Sequence, residues 1–102
     1  MSLTDDLDKF VVEQGKWADA TFGGMNRGIT GTLTKLKQEV DEILAAPDDR
    51  LEWADALMLL LDAARRQGMM PSDLLIACRE KQAINFSRAW EKGPDGLWRH
   101  CG

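Results

Sequence analysis

The stretch "DDRLEWADALMLLLDAARR", residues 48–66, decides how this chain folds. Six apolar residues, Ala56 to Leu61, lie between Asp55 and Asp62. At about 100° per residue, seven residues fall roughly 20° short of two full helical turns, so both acids share one side of a helix. Trp53, Ala54, Leu57, Met58, Leu60, Leu61 and Ala64 cover nearly the whole circumference of that helix. A helix apolar all round is one buried on all sides. A chain of 102 residues cannot cover one of its own helices so completely, and the pattern predicts that a second subunit covers the rest. Carboxylates on such a stripe need a reason to be there, because burying an unpaired charge is costly.

Working outward, the helix starts near Asp49 and stops at Gly68, a C-cap, with Arg65 and Arg66 in the last turn, where they suit the helix dipole. Upstream, a helix is expected from about Thr32 to Ala45, ending before Pro47. A first helix, about Thr4 to Ala20, carries Leu7, Phe10, Val11, Gln14, Trp17 and Ala18 at helical spacing. Between them "TFGGMNRGITG", residues 21–31, reads as a flexible loop. Downstream, "GMMPS" is a turn, Ser72 is expected to cap a fourth helix through about Glu91, "GPDG" (93–96) turns again, and 93–102 forms a tail. No run alternates with period two for long enough to make a convincing strand. The reading is all-α: one domain over 1–102, a four-helix bundle assembled through a dimer or dimer-of-dimers core.

Composition narrows the function. A 44% hydrophobic, 29% charged chain is an ordinary globular one. Its net charge of −4 argues against a grip on nucleic acid polymer, which needs a basic face, but leaves room for a small anionic ligand carried on bound cations. The longest apolar run, six residues, is far short of a membrane span. The acidic Met1–Asp8 segment is unlike a secretory signal, so a cytoplasmic protein is expected. Cys78 and Cys101 form no metal or redox spacing, and His100, in the tail, is read as a surface residue.

The acids return as pairs. Glu39 and Glu42 stand at i, i+3 on the second helix; Glu52 and Asp55 stand at i, i+3 on the third. The short "APDD" connection makes the two helices antiparallel neighbours, so the pairs meet near the joined ends. Carboxylates brought together repel and are driven to protonate unless a cation intervenes, and carboxylate oxygens suit hard ions such as Mg²⁺ or Mn²⁺. Each acid also has a plainer account: Asp49 and Glu52 fit a capping box, Glu39 and Glu42 a solvated face, and Asp62 a pair with Arg65 or Arg66. On the fourth helix, Lys81, Asn85 and Arg88 at i, i+4, i+7 form either a polyphosphate clamp or a solvent-facing stripe.

With these residues in view, the sequence resembles the all-α, MazG-like nucleoside triphosphate pyrophosphohydrolases. Their signature is E-E-x-x-E followed at a distance by E-x-x-D. Here "QEVDE" supplies Glu39 and Glu42, with Gln38 in place of the first acid, and "EWAD" supplies Glu52 and Asp55. The longer pattern "W…TFG", "KxE", "EWADxxxLxxDxAxRxG" and "KxxxNxxRxW" is similar to the phage and bacterial dATP/dGTP pyrophosphohydrolase branch. It covers Trp17, Phe22, Gly23, Glu39, Glu52, Trp53, Asp55, Asp62, Arg66, Lys81, Asn85, Arg88 and Trp90. Where that branch often has a His and a Lys before the first acidic pair, Lys35 and Gln38 stand here.

The resemblance implies hydrolysis of a purine deoxynucleoside triphosphate between the α- and β-phosphates, dGTP ahead of dATP, in phage-type nucleotide metabolism. It implies two or more Mg²⁺ or Mn²⁺ ions per site on Glu39, Glu42, Glu52 and Asp55, a base drawn from the glutamates, with Glu39 the first candidate, and Lys81 and Arg88 on the leaving pyrophosphate. Trp17, Phe22, Asn26 and Arg27 are candidates to hold the base, with Asp62 and Asn85 as further substrate-binding positions, although Trp17 and Phe22 also suit core packing. Two rival readings stay open: a dimerising helical interaction module without activity, and a dCTP/dUTP-type hydrolase on the same scaffold.

Overall fold

The computed structural model describes residues 2–101. Four helices follow one another: α1 (Leu3–Phe22), α2 (Thr30–Ala45), α3 (Arg50–Arg66) and α4 (Pro71–Phe86). A hairpin of two three-residue strands, β1 (Trp90–Lys92) and β2 (Trp98–His100), closes the described chain. No helix is long and apolar enough to cross a membrane, among the described residues.

Local chemistry sets the helix ends. The Ser2 hydroxyl accepts the Asp5 N–H at the start of α1, and the Asp49 carboxylate accepts the Leu51 N–H at the start of α3. Gly68, at φ +85°, follows α3, and the Met69 N–H returns to the Ala64 carbonyl, satisfying one of the last helical acceptors. Ser72 does not cap α4. Pro71 already opens that helix, the Asp73 carboxylate accepts the Met70 N–H, and both the N–H and hydroxyl of Ser72 donate to Asp8 on α1 at 3.0 and 2.8 Å. That clasp ties the start of α4 to the first turns of α1.

Two boundaries differ from the sequence reading. The loop expected over 21–31 is shorter, residues 23–29, because both flanking helices extend into it. The fourth helix ends at Phe86 instead of Glu91, and the residues after it, Trp90–Lys92, pair with Trp98–His100 of the expected tail as the hairpin, with Trp90 opposite His100 and Lys92 opposite Trp98. Three-residue strands are too short to show an alternation in sequence.

Helices α2 and α3 pack antiparallel: Glu39 of α2 meets Glu52 and Asp55 near the start of α3, and Thr32 at the start of α2 meets Arg66 at the end of α3. α1 packs across α3 and against α4. The buried apolar set is small: Val11, Ala18, Leu61, Ala63 and Ala64. On α3, Trp53, Leu57 and Leu60 stay about half exposed, at the i, i+4, i+7 spacing of one face. The radius of gyration is 16.2 Å, against about 13 Å for a closed domain of this length. The accessible surface is 7549 Å², against roughly 5,800 Å² for a self-contained globule of this mass. One copy of the chain does not enclose its own apolar surface.

Candidate active site

A cleft of about 510 Å³ opens between α1, α2 and α3. Gln14, Trp17, Ala18 and Phe22 line it from α1; Gly31, Thr32, Lys35 and Glu39 from α2; Asp55, Met58, Leu59 and Asp62 from α3. Arg27 reaches it from the loop. Asp55 and Asp62 stand about 10 Å apart along α3, by the helical rise of seven residues, so they mark two ends of the cleft with different chemistry.

At the Asp55 end, carboxylate oxygens of Glu39, Glu52 and Asp55 all lie within 4.8 Å of one another. Glu39 is buried, Glu52 half-buried and Asp55 exposed. Among the described residues, Glu39 Oε2 and Glu52 Oε2 are buried without a hydrogen-bond partner, so the cap at Asp49 does not account for Glu52. The neighbouring Glu42 carboxyl, one turn on, and burial hold the Glu39 carboxyl above its ordinary range, while Lys35 works in the opposite direction. Three converging carboxylates, two of them with a buried oxygen that has no donor, fit a site for a hard divalent cation.

At the other end, Asp62 is matched by arginines. Its Oδ1 accepts from Arg65 at 2.7 Å, and its Oδ2 lies 3.0 Å from Arg27 and 3.1 Å from Arg66. Asp19 of α1 completes the network, accepting from Arg27 and Arg65 at 2.8 Å each, and these hydrogen bonds, Arg65 first, lower its carboxyl to about 2. Arg66, almost wholly buried, donates to the carbonyls of Arg27 and Gly28 and to the Thr32 hydroxyl. Two arginines thereby fasten the loop 23–29 to α3. Helix α1 admits this network only because residue 15 is glycine: a Cβ there would lie 2.6 Å from Arg65 Nε.

The aromatic pair sits on the cleft wall and not in the core. Trp17 and Phe22 are 58% and 64% exposed and meet edge to face with ring centroids 5.4 Å apart. Asn26 is exposed on the loop, outside the residues that line the cleft. Lys81, Asn85 and Arg88 are also outside it. Arg88 lies beyond the end of α4, so the three do not share a single helical face, and Asn85 Oδ1 is buried without a partner among the described residues. Asp19, Gly15, Thr32 and Lys35 were not among the candidates for the site. The one hint of Asp19 in sequence is arithmetic: the adjacent arginines at 65 and 66 outnumber the single Asp62 within their reach on α3.

Residues 10–100 match the dATP/dGTP pyrophosphohydrolase family. This chain belongs to that family. Its relatives include a dATP/dGTP diphosphohydrolase of Salmonella phage PMBT28, 40% identical over 85 residues, which are 82% of this chain and 28% of that protein. The Eaa protein of Salmonella phage P22 is 43% identical over 84 residues, 82% of this chain and 26% of its own length. The chain thus spans about a quarter of the length of these curated relatives. Among solved structures, the cyanophage S-2L MazG-like pyrophosphohydrolase bound to dGDP and three catalytic Mn²⁺ ions per active site superposes with a TM-score of 0.78. It is 32% identical to this chain, and the match covers all of both chains. The four-helix arrangement of this pyrophosphohydrolase family member is therefore the MazG-like fold.

Proposed function

We propose that the chain hydrolyses purine deoxynucleoside triphosphates to the monophosphate and pyrophosphate, dGTP slightly ahead of dATP, in a metal-dependent reaction serving phage-type nucleotide metabolism in the bacterial cytoplasm. One observation carries the reading: the convergent carboxylates of Glu39, Glu52 and Asp55, with two buried oxygens lacking donors, share a cleft with an exposed aromatic pair. Family membership supports the reaction class.

Glu39, Glu52 and Asp55, with Glu42 beside them, would hold Mg²⁺ or Mn²⁺. Such ions supply charge neutralisation at the phosphates and a more acidic water. The chain does the rest. A glutamate beside the attacking water, Glu39 first, would take up its proton. Trp17 and Phe22 offer faces for the base, and a purine presents the larger stacking surface. The Asp19–Arg27–Asp62 network fixes the loop wall beside them.

The reading includes a second copy of the chain. Lys81, Asn85 and Arg88 lie away from their own cleft, and the half-exposed Trp53–Leu57–Leu60 face of α3 needs a cover. In a dimer or a dimer of dimers, the residues in and just after α4 of one copy serve the cleft of another, with Lys81 and Arg88 on the leaving pyrophosphate. Incubation with each of the four dNTPs and Mn²⁺, with products resolved by chromatography, tests the reaction. Loss of dGTP and dATP first, to monophosphate and pyrophosphate, is the expected result. Faster loss of dCTP or dTTP, or release of orthophosphate, overturns the assignment of base or bond.

A further inference from the structure

The cations on the cleft wall are Arg27 and Lys35, and they are committed differently. The Arg27 guanidinium is spent on the protein: it donates to Asp19 at 2.8 Å, to the Gly23 carbonyl at 2.8 Å and to Asp62 at 3.0 Å. Among the described residues, Lys35 has one ion-pair partner. Its ammonium lies 3.6 Å from Glu39 Oε1, a loose contact, and its side chain is 61% exposed. Glu39 is also a member of the carboxylate cluster. An ammonium and a divalent cation cannot share one carboxylate without repelling each other, so the two compete for Glu39.

Position makes the displaced ammonium useful. Lys35 stands one turn before Glu39 on α2, toward Thr32, and therefore lies between the acidic end of the cleft and the end marked by Arg27 and Asp62. A triphosphate anchored at the carboxylates with its base toward Trp17 and Phe22 passes this position. A lysine is a mobile point charge on a four-carbon stem, suited to following a phosphate oxygen. We infer that Lys35 is a built-in counter-ion of the acidic cluster, which competes with divalent metal for Glu39 and, once displaced, contacts the phosphates of the substrate. This inference rests on the function proposed above.

The test is paired. Mn²⁺ binding is followed by electron paramagnetic resonance without nucleotide, and KM and kcat for dGTP are measured at saturating Mn²⁺, for the wild type, K35M, K35Q and K35R. Lys35 is exposed on α2, so neutral variants keep the fold. K35M and K35Q should bind Mn²⁺ about three- to tenfold more tightly, because a competing cation is gone. They should also show a KM for dGTP about tenfold higher, from loss of a charge-assisted phosphate contact, with K35R between them and the wild type. Unchanged or weaker Mn²⁺ binding in both neutral variants overturns the inference, and so does an unchanged KM. A wild-type chain that binds no Mn²⁺ overturns the metal reading itself, whereas normal wild-type binding with unaltered variants removes Lys35 alone.

Discussion

Gly15→Ala separates the packing of the arginine network from ordinary helix propensity. In the interior of α1, alanine is favoured over glycine by about 1 kcal/mol, so propensity alone predicts a more stable protein. The structure predicts the reverse. The new Cβ would lie 2.6, 2.7 and 2.9 Å from Nε, Cζ and Cδ of Arg65. A free arginine would step aside at little cost, but this one is held by Asp62 at 2.7 Å and by Asp19 at 2.8 Å. Overpacking of this kind costs about 1–3 kcal/mol, and loosening a largely buried ion pair adds to it. After the propensity gain is subtracted, a net loss of roughly 1–3 kcal/mol is expected. For a domain of this size that lowers Tm by about 5–15 °C. Thermal melts at one fixed protomer concentration read the effect. The same substitution in an Arg65→Ala background should turn stabilising by about 1 kcal/mol, since nothing remains to be displaced. A Gly15→Ala protein that melts at or above the wild type, or an equal loss in both backgrounds, refutes the reasoning.

How much of this was legible in the sequence varies with the range of the interaction. The helices were, because apolar periodicity and the Asp49 and Gly68 signals are local. The end of α4 was not: "NFSRAW" carries no proline or glycine, and the turn after Phe86 is completed by the Trp90 indole donating to the Asn85 carbonyl, a contact made only once the hairpin forms. Of the four acids that an i, i+3 pair on each arm of a short helical hairpin brings near one another, Glu39, Glu52 and Asp55 converge, while Glu42 is exposed and outside that group. Asp62 lies on the same stripe as Asp55 and answers to different chemistry. Its partners Arg65 and Arg66 are on its own helix and were foreseeable, whereas Arg27 is 35 residues away in sequence. Asp19 and Gly15 depend on where α1 crosses α3, which no spacing within α1 encodes.

Replacing Asp55 or Glu42 with alanine should abolish Mn²⁺-dependent turnover while a far-UV spectrum shows the helices intact; full activity in both variants would remove the carboxylates from the proposed site. Without added metal these variants should melt no lower than the wild type, because carboxylate repulsion is relieved. Asp19 has its carboxyl lowered from 3.8 to about 2 by Arg65 and Arg27, so its contribution to stability is full above pH 3.8 and is lost as pH falls toward 2. Asp19→Asn should therefore flatten the acid limb of urea midpoints, and an unchanged slope would show that the carboxylate is not held as described. The last expectation concerns which copy of the chain supplies the cationic residues. If Lys81 and Arg88 serve a neighbouring cleft, an inactive Asp55→Ala chain mixed with an inactive Arg88→Ala chain builds, in each mixed dimer, one site with both defects and one with neither. Random exchange of subunits makes half the dimers mixed, so about a quarter of wild-type activity should return at equal mixing. If each cleft uses its own Arg88, every site in the mixture carries one defect and nothing returns. Sedimentation of differently tagged chains confirms that mixed dimers have formed, and a mixture that contains them yet stays inactive refutes the shared site.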